Sequence, residues 1–376
     1  MNRAGIFVFY DAQGLVDEYV EFLLSSTDSV LQKLIIIING KIGKSGYNKL
    51  KKYSDSIFKR NNYGYDAGAY KDVFMHFMNK ENWKNWDEIL LFNDTFYGPI
   101  FPWEGVFREM EKEEVDFWGL SRHPGGGRIL ASGQEMPPHI QGYFLVCKKS
   151  VFLSSHWQKF WEELEYPRTY REAVENFEIY FSSYFIKRGY RCSALTDKIP
   201  INIEYGKNPF MCYFRELVQK FKFPVLKRKV ICLPYLDEVK KVMEYINDHT
   251  GYNTSFIYSH IERLCNENIM NPISPFEPVQ ISRFYHTHRR VYIFGYGICG
   301  KGLARYFEYM GWKYEGFIVS KNEKHGENVH TYADIKFDRK DGIILAVSEK
   351  TFYEVYSMLK KDMADNQLFY PQYKEQ

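Results

Sequence analysis

An α/β fold is expected for this chain: a Rossmann-like and mainly parallel sheet with helices on both faces, followed by a second small Rossmann-like α/β domain. Three observations predict it. Short apolar runs alternate with helix-length amphipathic stretches through residues 1–100, the pattern of a covered parallel sheet. Those runs end on polar residues, which right-handed crossovers carry to one edge of the sheet. A Gly-x-Gly-x-x-Gly turn at 295–300 lies between a strand-like and a helix-like segment, the context that gives such a turn meaning.

Each element follows from its residues. Ile6–Tyr10, Leu34–Ile38, Ser56–Arg60 and Ile89–Phe92 are the expected strands, with helices over Leu15–Ser25, Tyr47–Tyr53 and Ala69–Met78 between them. Asp116–Leu120 reads as a further short strand, Ser121–Pro138 as a Gly/Pro-rich loop, and His139–Lys148 as a strand again. Val151–Gly189 reads as helices broken near Pro167, the last closed by Gly189. Asp237–Asp248 and Ser255–Asn268 are expected helices, and Asn271–Pro278, with three prolines, is the expected linker. Beyond it come the strand Arg289–Phe294, the glycine turn, the helix Lys301–Met310, the strands Tyr314–Val319 and Gly342–Val347, and a helix through Lys360. The expected division is residues 1–230, a connector and linker over 231–285, and the small Rossmann-like unit at 286–376.

Composition narrows the class. A chain of 376 residues with 45% hydrophobic content and 50 basic against 47 acidic residues is globular, and no nucleic-acid partner is expected. The longest aliphatic run, Leu34–Ile38, is far too short to span a membrane, and Met1–Tyr10 lacks the pattern of a secretory signal, so a cytoplasmic protein is expected. Six cysteines without C-x-x-C spacing suggest neither zinc nor a disulfide framework. The 31 tyrosines and 30 phenylalanines suit stacking on sugars or bases, a membrane interface, or merely an aromatic-rich core. Between Tyr213 and Lys229, six basic residues interleave with aromatics against a single Glu216. That pattern suits peripheral contact with the anionic inner face of a plasma membrane, or an ordinary solvated face.

Chemistry concentrates at strand ends. Tyr10-Asp11, Asn39-Gly40, Asn61-Asn62 and Asn93-Asp94-Thr95 should share one lip of the sheet, where open α/β sheets bind ligands. Asn93, Asp94 and Thr95 together offer one carboxylate and two neutral oxygens, a set suited to a cation that bridges to phosphate, or to a sugar hydroxyl; a plain strand-to-turn junction is the alternative. Asp66 and Gly68 lie where a glycine-bearing loop enters a helix, so Asp66 either meets a ligand or caps that helix. His139 and Gln141 alternate on one strand face, within reach of a sugar or at an ordinary edge. Glu178 is the candidate general base, able to take a proton from an attacking hydroxyl, or else a first-turn helix charge. For Gly295, Gly297 and Gly300 a dinucleotide site would want a carboxylate at the end of the next strand, and Phe317–Ser320 has none.

Many of these blocks, in this order, resemble the rhamnan synthesis protein F family of bacterial polysaccharide assembly. The residues that carry the likeness are Tyr10-Asp11 with Gly14 and Asp17, Asn39-Gly40, Arg60-Asn61 through Tyr70, Asn93 through Pro99, Asp116–Leu120, and His139-Ile140-Gln141 with Tyr143-Phe144. The resemblance spans about the first 230 residues and implies a GT-A-type glycosyltransferase. It would move a sugar, rhamnose by the family's name, from a donor such as dTDP-rhamnose to a lipid-linked or growing surface glycan. A second, more distant likeness is to large inverting family 2 glycosyltransferases, with Asn93-Asp94-Thr95 in the place of their Asp-x-Asp motif. It puts Glu178 in the place of their later acidic residue, and the expected mechanism then has Glu178 as the inverting base, nucleotide held by Tyr10, Asp11, Asn39 and Asp66, diphosphate and ribose by Asn93, Asp94 and Thr95, and an acceptor side lined by His139, Gln141 and Trp118. Asn and Thr replace two expected carboxylates, so a Mg²⁺ or Mn²⁺ on Asp94 would be weakly held. Two other classes stay open: a nucleotide-dependent sugar-modifying enzyme acting through the 295–300 turn, and a non-catalytic glycan-binding component.

Overall fold

The computed structural model describes residues 1–77, 83–231, 236–266, 276, 278–309, 311–320 and 328–370. The chain divides into two compact units, Met1–Val230 with Lys241–His260, and Ile231–Lys240 with Ile261–Gln376. Part of the stretch expected as a connector, Lys241–His260, thus belongs to the first unit. The expected linker falls almost wholly outside the described residues, and Pro278 opens a helix that runs to Thr287. Among the described residues no helix is long and apolar enough to cross a membrane.

The strands of the first unit are β1 (Arg3–Phe9), β2 (Lys33–Asn39), β3 (Ser56–Arg60), β4 (Glu88–Asn93), β5 (Phe96–Tyr97), β6 (Phe117–Gly119), β7 (Arg122–His123), β8 (His139–Ile140), β9 (Phe144–Lys148), β10 (Cys192–Ala194) and β11 (Leu226–Lys227). Seven of them form the main sheet in the order β10-β6-β9-β4-β1-β2-β3. β1 is parallel to β2 and β4, β3 is parallel to β2, and β9 runs antiparallel between β4 and β6. Nearly every residue of β1, β2 and β4 is buried, because helices cover both faces and leave no polar side for alternation to serve. Even Arg3 is buried, since its guanidinium pairs with Glu88, its partner in the β1–β4 register, and with Glu111. A lone buried charge would be costly, so this pair fixes the register.

Three elements differ from expectation, each for a local reason. The first helix starts at Glu18, not Leu15, because Asp11 Oδ1 accepts from the Gln13 and Leu15 N–H groups and Gly14 turns at φ +73°; this Asx turn competes with helix. The strand expected over His139–Lys148 is two strands, β8 and β9, parted at Gln141–Tyr143. The Ser121–Pro138 loop carries β7, which pairs with β8, and its Gly125, Gly126 and Gly127 all take positive φ.

The second unit is a five-stranded sheet of β12 (Arg290–Phe294), β13 (Phe317–Val319), β14 (Val329–Thr331), β15 (Asp341–Leu345) and β16 (Leu368–Phe369). Its order is β14-β13-β12-β15-β16 and all pairs are parallel. Two apolar clusters cover its strands, one with Val291, Ile293 and Phe307, the other with Tyr292, Phe294 and Leu359. Alternate residues of β12 serve opposite clusters, as a two-faced strand requires.

Candidate active site

The carboxyl ends of β1 to β4 bring their polar residues to one edge of the first sheet. Asp11 is nearly buried and spends Oδ1 on its own turn. Tyr10 beside it is 45% exposed, and its ring leans over Gly40 at the end of β2. Asn39 donates to the Tyr65 carbonyl at 2.9 Å and accepts from Arg60 Nη1 at 2.6 Å. Arg60 in turn pairs with Asp72 and donates to the Tyr63 carbonyl, which ties the end of β3 to the helix Tyr65–Asp72. Asp66, in the first turn of that helix, accepts from its own Ala67 N–H at 3.0 Å and from Asn93 Nδ2 at 2.9 Å. Burial, with Glu178 nearby, raises the Asp66 carboxyl above the usual carboxylate range, against the Asn93 bond.

The Asn93-Asp94-Thr95 triplet continues directly from β4. Asn93 Oδ1 accepts from Thr95 N at 3.2 Å and from Thr95 Oγ1 at 2.7 Å. Asp94 is 4% exposed, and burial pushes its carboxyl up to about 6 despite Arg228 beside it. The turn after the triplet leads into β5, which pairs antiparallel with β11 in the register Leu226↔Tyr97 and Lys227↔Phe96. Through that pairing, sealed by Arg228 N donating to Thr95 O at 3.1 Å, two cations reach the triplet. Lys227 Nζ donates to Thr95 Oγ1 at 2.7 Å and sits 3.9 Å over the Tyr143 ring. Arg228 Nη1 lies 3.2 Å from Asp94 Oδ2, 3.2 Å from the Asp94 carbonyl and 3.1 Å from Tyr19 Oη. Burial and the neighbouring Lys229 and Arg228 charges bring Lys227 down to about 7, although Glu178 and Asp66 oppose them.

This placement redefines the basic aromatic stretch. Phe214 and Phe223 are core residues, Lys227 and Arg228 belong to the site, and Arg215, Lys220 and Lys222 remain exposed. The long-range β5–β11 pairing left no sequence signal beyond three adjacent basic residues, Lys227, Arg228 and Lys229.

Glu178 lies at the same edge. It occupies a π-helical turn, Val174–Ile179, inside a continuous helix from Tyr170 to Ile186, rather than a first turn; such turns recur at functional sites. Its Oε2 accepts from Gly142 N at 2.9 Å, at the break between β8 and β9. Its Oε1 stands 3.5 Å from His139 Nε2. The other nitrogen of His139 is 2.9 Å from the Pro137 carbonyl, which can only accept, so Nδ1 carries hydrogen there. Burial raises the Glu178 carboxyl, but His139, the Gly142 N–H and Lys227 outweigh it and leave it below the usual range. His123 stacks on His139 with centroids 5.3 Å apart, and burial plus that neighbour bring it down to about 4, a neutral ring at ordinary pH. Gln141 holds the Ser121 hydroxyl, which reaches Tyr143 Oη at 3.0 Å, under the ring that carries Lys227.

Other expected residues lie elsewhere. Trp118 is 1% exposed and packs on Phe107 and Phe144, so it cannot line an acceptor. Both faces of β6 are covered, since Phe117, Trp118 and Gly119 are all buried, and that packing is not revealed by its sequence block. Gly68 has a packing reason: a Cβ there would stand 2.6 Å from the Tyr63 carbonyl. Gly295, Gly297 and Gly300 lie in the second unit, after β12. Gly295 turns at φ +109°, and a Cβ on Gly300 would come 1.9 Å from the Gly295 carbonyl oxygen, so the turn itself calls for a glycine at both positions.

The donor set does not fit a divalent ion. Asp94 is the single carboxylate of the triplet and already faces Arg228, and among the described residues no three His, Cys, Asp or Glu side chains gather as metal ligands. Mg²⁺ and Mn²⁺ prefer carboxylate and water oxygens free of such competition.

Comparison with known proteins places the chain. Residues 34–345 match the family described as rhamnan synthesis protein F. Among curated relatives, the uncharacterized protein y4gN of Sinorhizobium fredii is 23% identical over 235 residues, 61% of this chain and 55% of that protein. The virulence protein VirA of Vibrio anguillarum is 24% identical over 180 residues, 47% of this chain and 54% of that protein. The chain thus spans about half the length of the curated relatives it matches. Among solved structures, a 4-diphosphocytidyl-2C-methyl-D-erythritol synthase aligns at 12% identity and a TM-score of 0.34, over 52% of this chain and 89% of that one. Core-mannan synthase A of Aspergillus fumigatus, in its Mn/GDP form, aligns at 9% identity and 0.32, over 52% and 73%.

Proposed function

We propose that this chain, which belongs to the rhamnan synthesis protein F family, is a GT-A-type glycosyltransferase of polysaccharide synthesis that inverts the configuration of the sugar it transfers. The observation that carries the reading is the meeting of strand-end amides and carboxylates with a base and two cations at one sheet edge. Tyr10 offers an exposed ring against which a nucleotide base stacks, with Asn39 and Asp66 toward the nucleoside. Asn93, Asp94 and Thr95 face ribose and diphosphate. Glu178, held ionised by His139 and the Gly142 N–H, takes the proton from an acceptor hydroxyl as its oxygen bonds to the anomeric carbon. The bond to the diphosphate breaks at the same time, and its electron pair leaves with the nucleotide.

The family's name supports rhamnose as the sugar, with dTDP-rhamnose as donor. Exposed Arg215, Lys220 and Lys222 support a peripheral contact with an anionic membrane, and hence a lipid-linked saccharide as acceptor. A panel of nucleotide-sugars incubated with the full chain, with and without EDTA, tests the reading through release of nucleoside diphosphate. Glu178→Gln is expected to cut turnover by about 10²–10⁴-fold and leave donor KM near that of the parent. Undiminished turnover in that variant would refute the proposed base, and no turnover of any donor by the parent chain would refute the enzyme.

A further inference from the structure

A glycosyl transfer that expels a diphosphate must place positive charge against the oxygen that leaves. In this site every oxygen-bearing side chain of the triplet is already engaged by the protein. Asn93 Oδ1 serves Thr95, Thr95 Oγ1 accepts from Lys227, and Asp94 Oδ2 faces Arg228. A divalent ion on Asp94 would have to compete with a guanidinium and sit beside an ammonium, against like-charge repulsion.

The two cations are built in rather than draped over the surface. The β5–β11 pairing and the Arg228 N–H bond to Thr95 O fix their backbone, and the Tyr143 ring supports the Lys227 ammonium from below. That ammonium has three N–H groups, and Thr95 takes one of them. The described side-chain hydrogen bonds of Arg228 all leave from Nη1, to Tyr19 and Asp94. With Nε and Nη2 that nitrogen forms a planar guanidinium fork, a shape that matches phosphate oxygens.

We propose that Lys227 and Arg228 stand in for a divalent cation: they hold the donor's diphosphate and neutralise the charge it gains as the sugar–phosphate bond breaks, so that transfer needs no metal. This rests on the glycosyltransferase reading above. The bond between the anomeric carbon and the bridging oxygen breaks with its electrons on that oxygen, and the new negative charge meets the ammonium and guanidinium directly.

Binding of UDP, dTDP and GDP to the full chain, measured by calorimetry in EDTA and again in Mn²⁺, tests the proposal. At least one of them is expected to bind in EDTA within about twofold of its affinity in Mn²⁺ and to weaken as NaCl rises. Lys227→Met is expected to weaken that diphosphate about 10–100-fold, the loss of a charge-assisted contact, while Lys227→Arg keeps most of the affinity and the matching nucleoside binds both variants as it binds the parent. Binding or turnover that appears only with Mn²⁺ or Mg²⁺ overturns the proposal and leaves the glycosyltransferase standing. Equal affinity of folded Lys227→Met and the parent overturns it too. If Lys227→Met does not fold, the EDTA comparison on the parent decides alone. Failure of every nucleoside diphosphate to bind under any condition removes the glycosyltransferase reading itself.

Discussion

The two sheets of this protein, one mixed and one wholly parallel, are wound alike around their first strands and finished differently. Each places its second and third strands on one side of the first and its fourth on the other, β3-β2-β1-β4 in the first unit and β14-β13-β12-β15 in the second. At that point of reversal an open sheet leaves a crevice for ligands. In the first unit the crevice between β1 and β4 carries Tyr10, Asp11, Asn93 and Asp94, with Lys227 and Arg228 returned to it by β11. In the second unit Gly295 follows β12, and a Cβ on it would stand 2.6 Å from the Ala346 carbonyl after β15, so backbone fills that level of the crevice. None of the five strands there is followed within two residues by a carboxylate. Sheet topology offers a place for chemistry, and side chains decide whether it is used.

That contrast can be broken in three ways, in falling order of expected effect. Trp118 tests whether a residue near the first unit's edge is packing rather than chemistry. Trp118→Ala should cost about 3–5 kcal/mol of stability in denaturant melts, whereas Trp118→Phe should leave acceptor KM unchanged; a shift of acceptor KM without loss of stability would return Trp118 to the acceptor side. The second unit's turn comes next. Gly300→Val drives a side chain into the Gly295 carbonyl and should cost about 1–3 kcal/mol, while Gly297→Val, with open space at its Cβ, should stay within about 0.5 kcal/mol of the parent. NAD(H) binding lost on Gly297→Val would show a used crevice and end the contrast.

The smallest effect is in pH. Since Lys227 loses its proton near pH 7 in the free protein, affinity for nucleoside diphosphate should fall as pH rises through 7, by up to about tenfold per unit. The fold should not weaken with it. The unfolded chain holds that proton up to about pH 10, so between about 7 and 10 the unfolded state binds more protons and this group's contribution to stability rises with pH. A donor affinity that is flat from pH 6 to 9 would separate Lys227 from the diphosphate.

Much of the architecture was legible because it is local. Apolar runs at strand length, separated by helix-length stretches, specify a covered parallel sheet, and right-handed crossovers then send Asp11, Asn39, Asp66 and Asn93 to one edge without further information. The Gly295–Gly300 turn and its all-parallel sheet follow from the same local pattern. Glu178 was also legible as a carboxylate on a helix, although the π-turn that holds it was not, since a single extra residue per turn leaves no trace in hydrophobic spacing.

Tertiary structure alone decided what surrounds those residues. Lys227 and Arg228 lie more than 130 positions from the triplet they contact, and only the two-residue pairing of β5 with β11 joins them; such a short ladder has no pattern of its own. A shorter separation, 36 positions for Gly142, likewise hid the Gly142 N–H and His139 from Glu178, and packing on both faces of β6 hid the burial of Trp118. Sequence therefore determined which strand ends carry oxygen, through periodicity that each segment contains in itself. Folding decided which of those oxygens meets a cation, because contact between remote segments depends on register and packing that no segment contains alone.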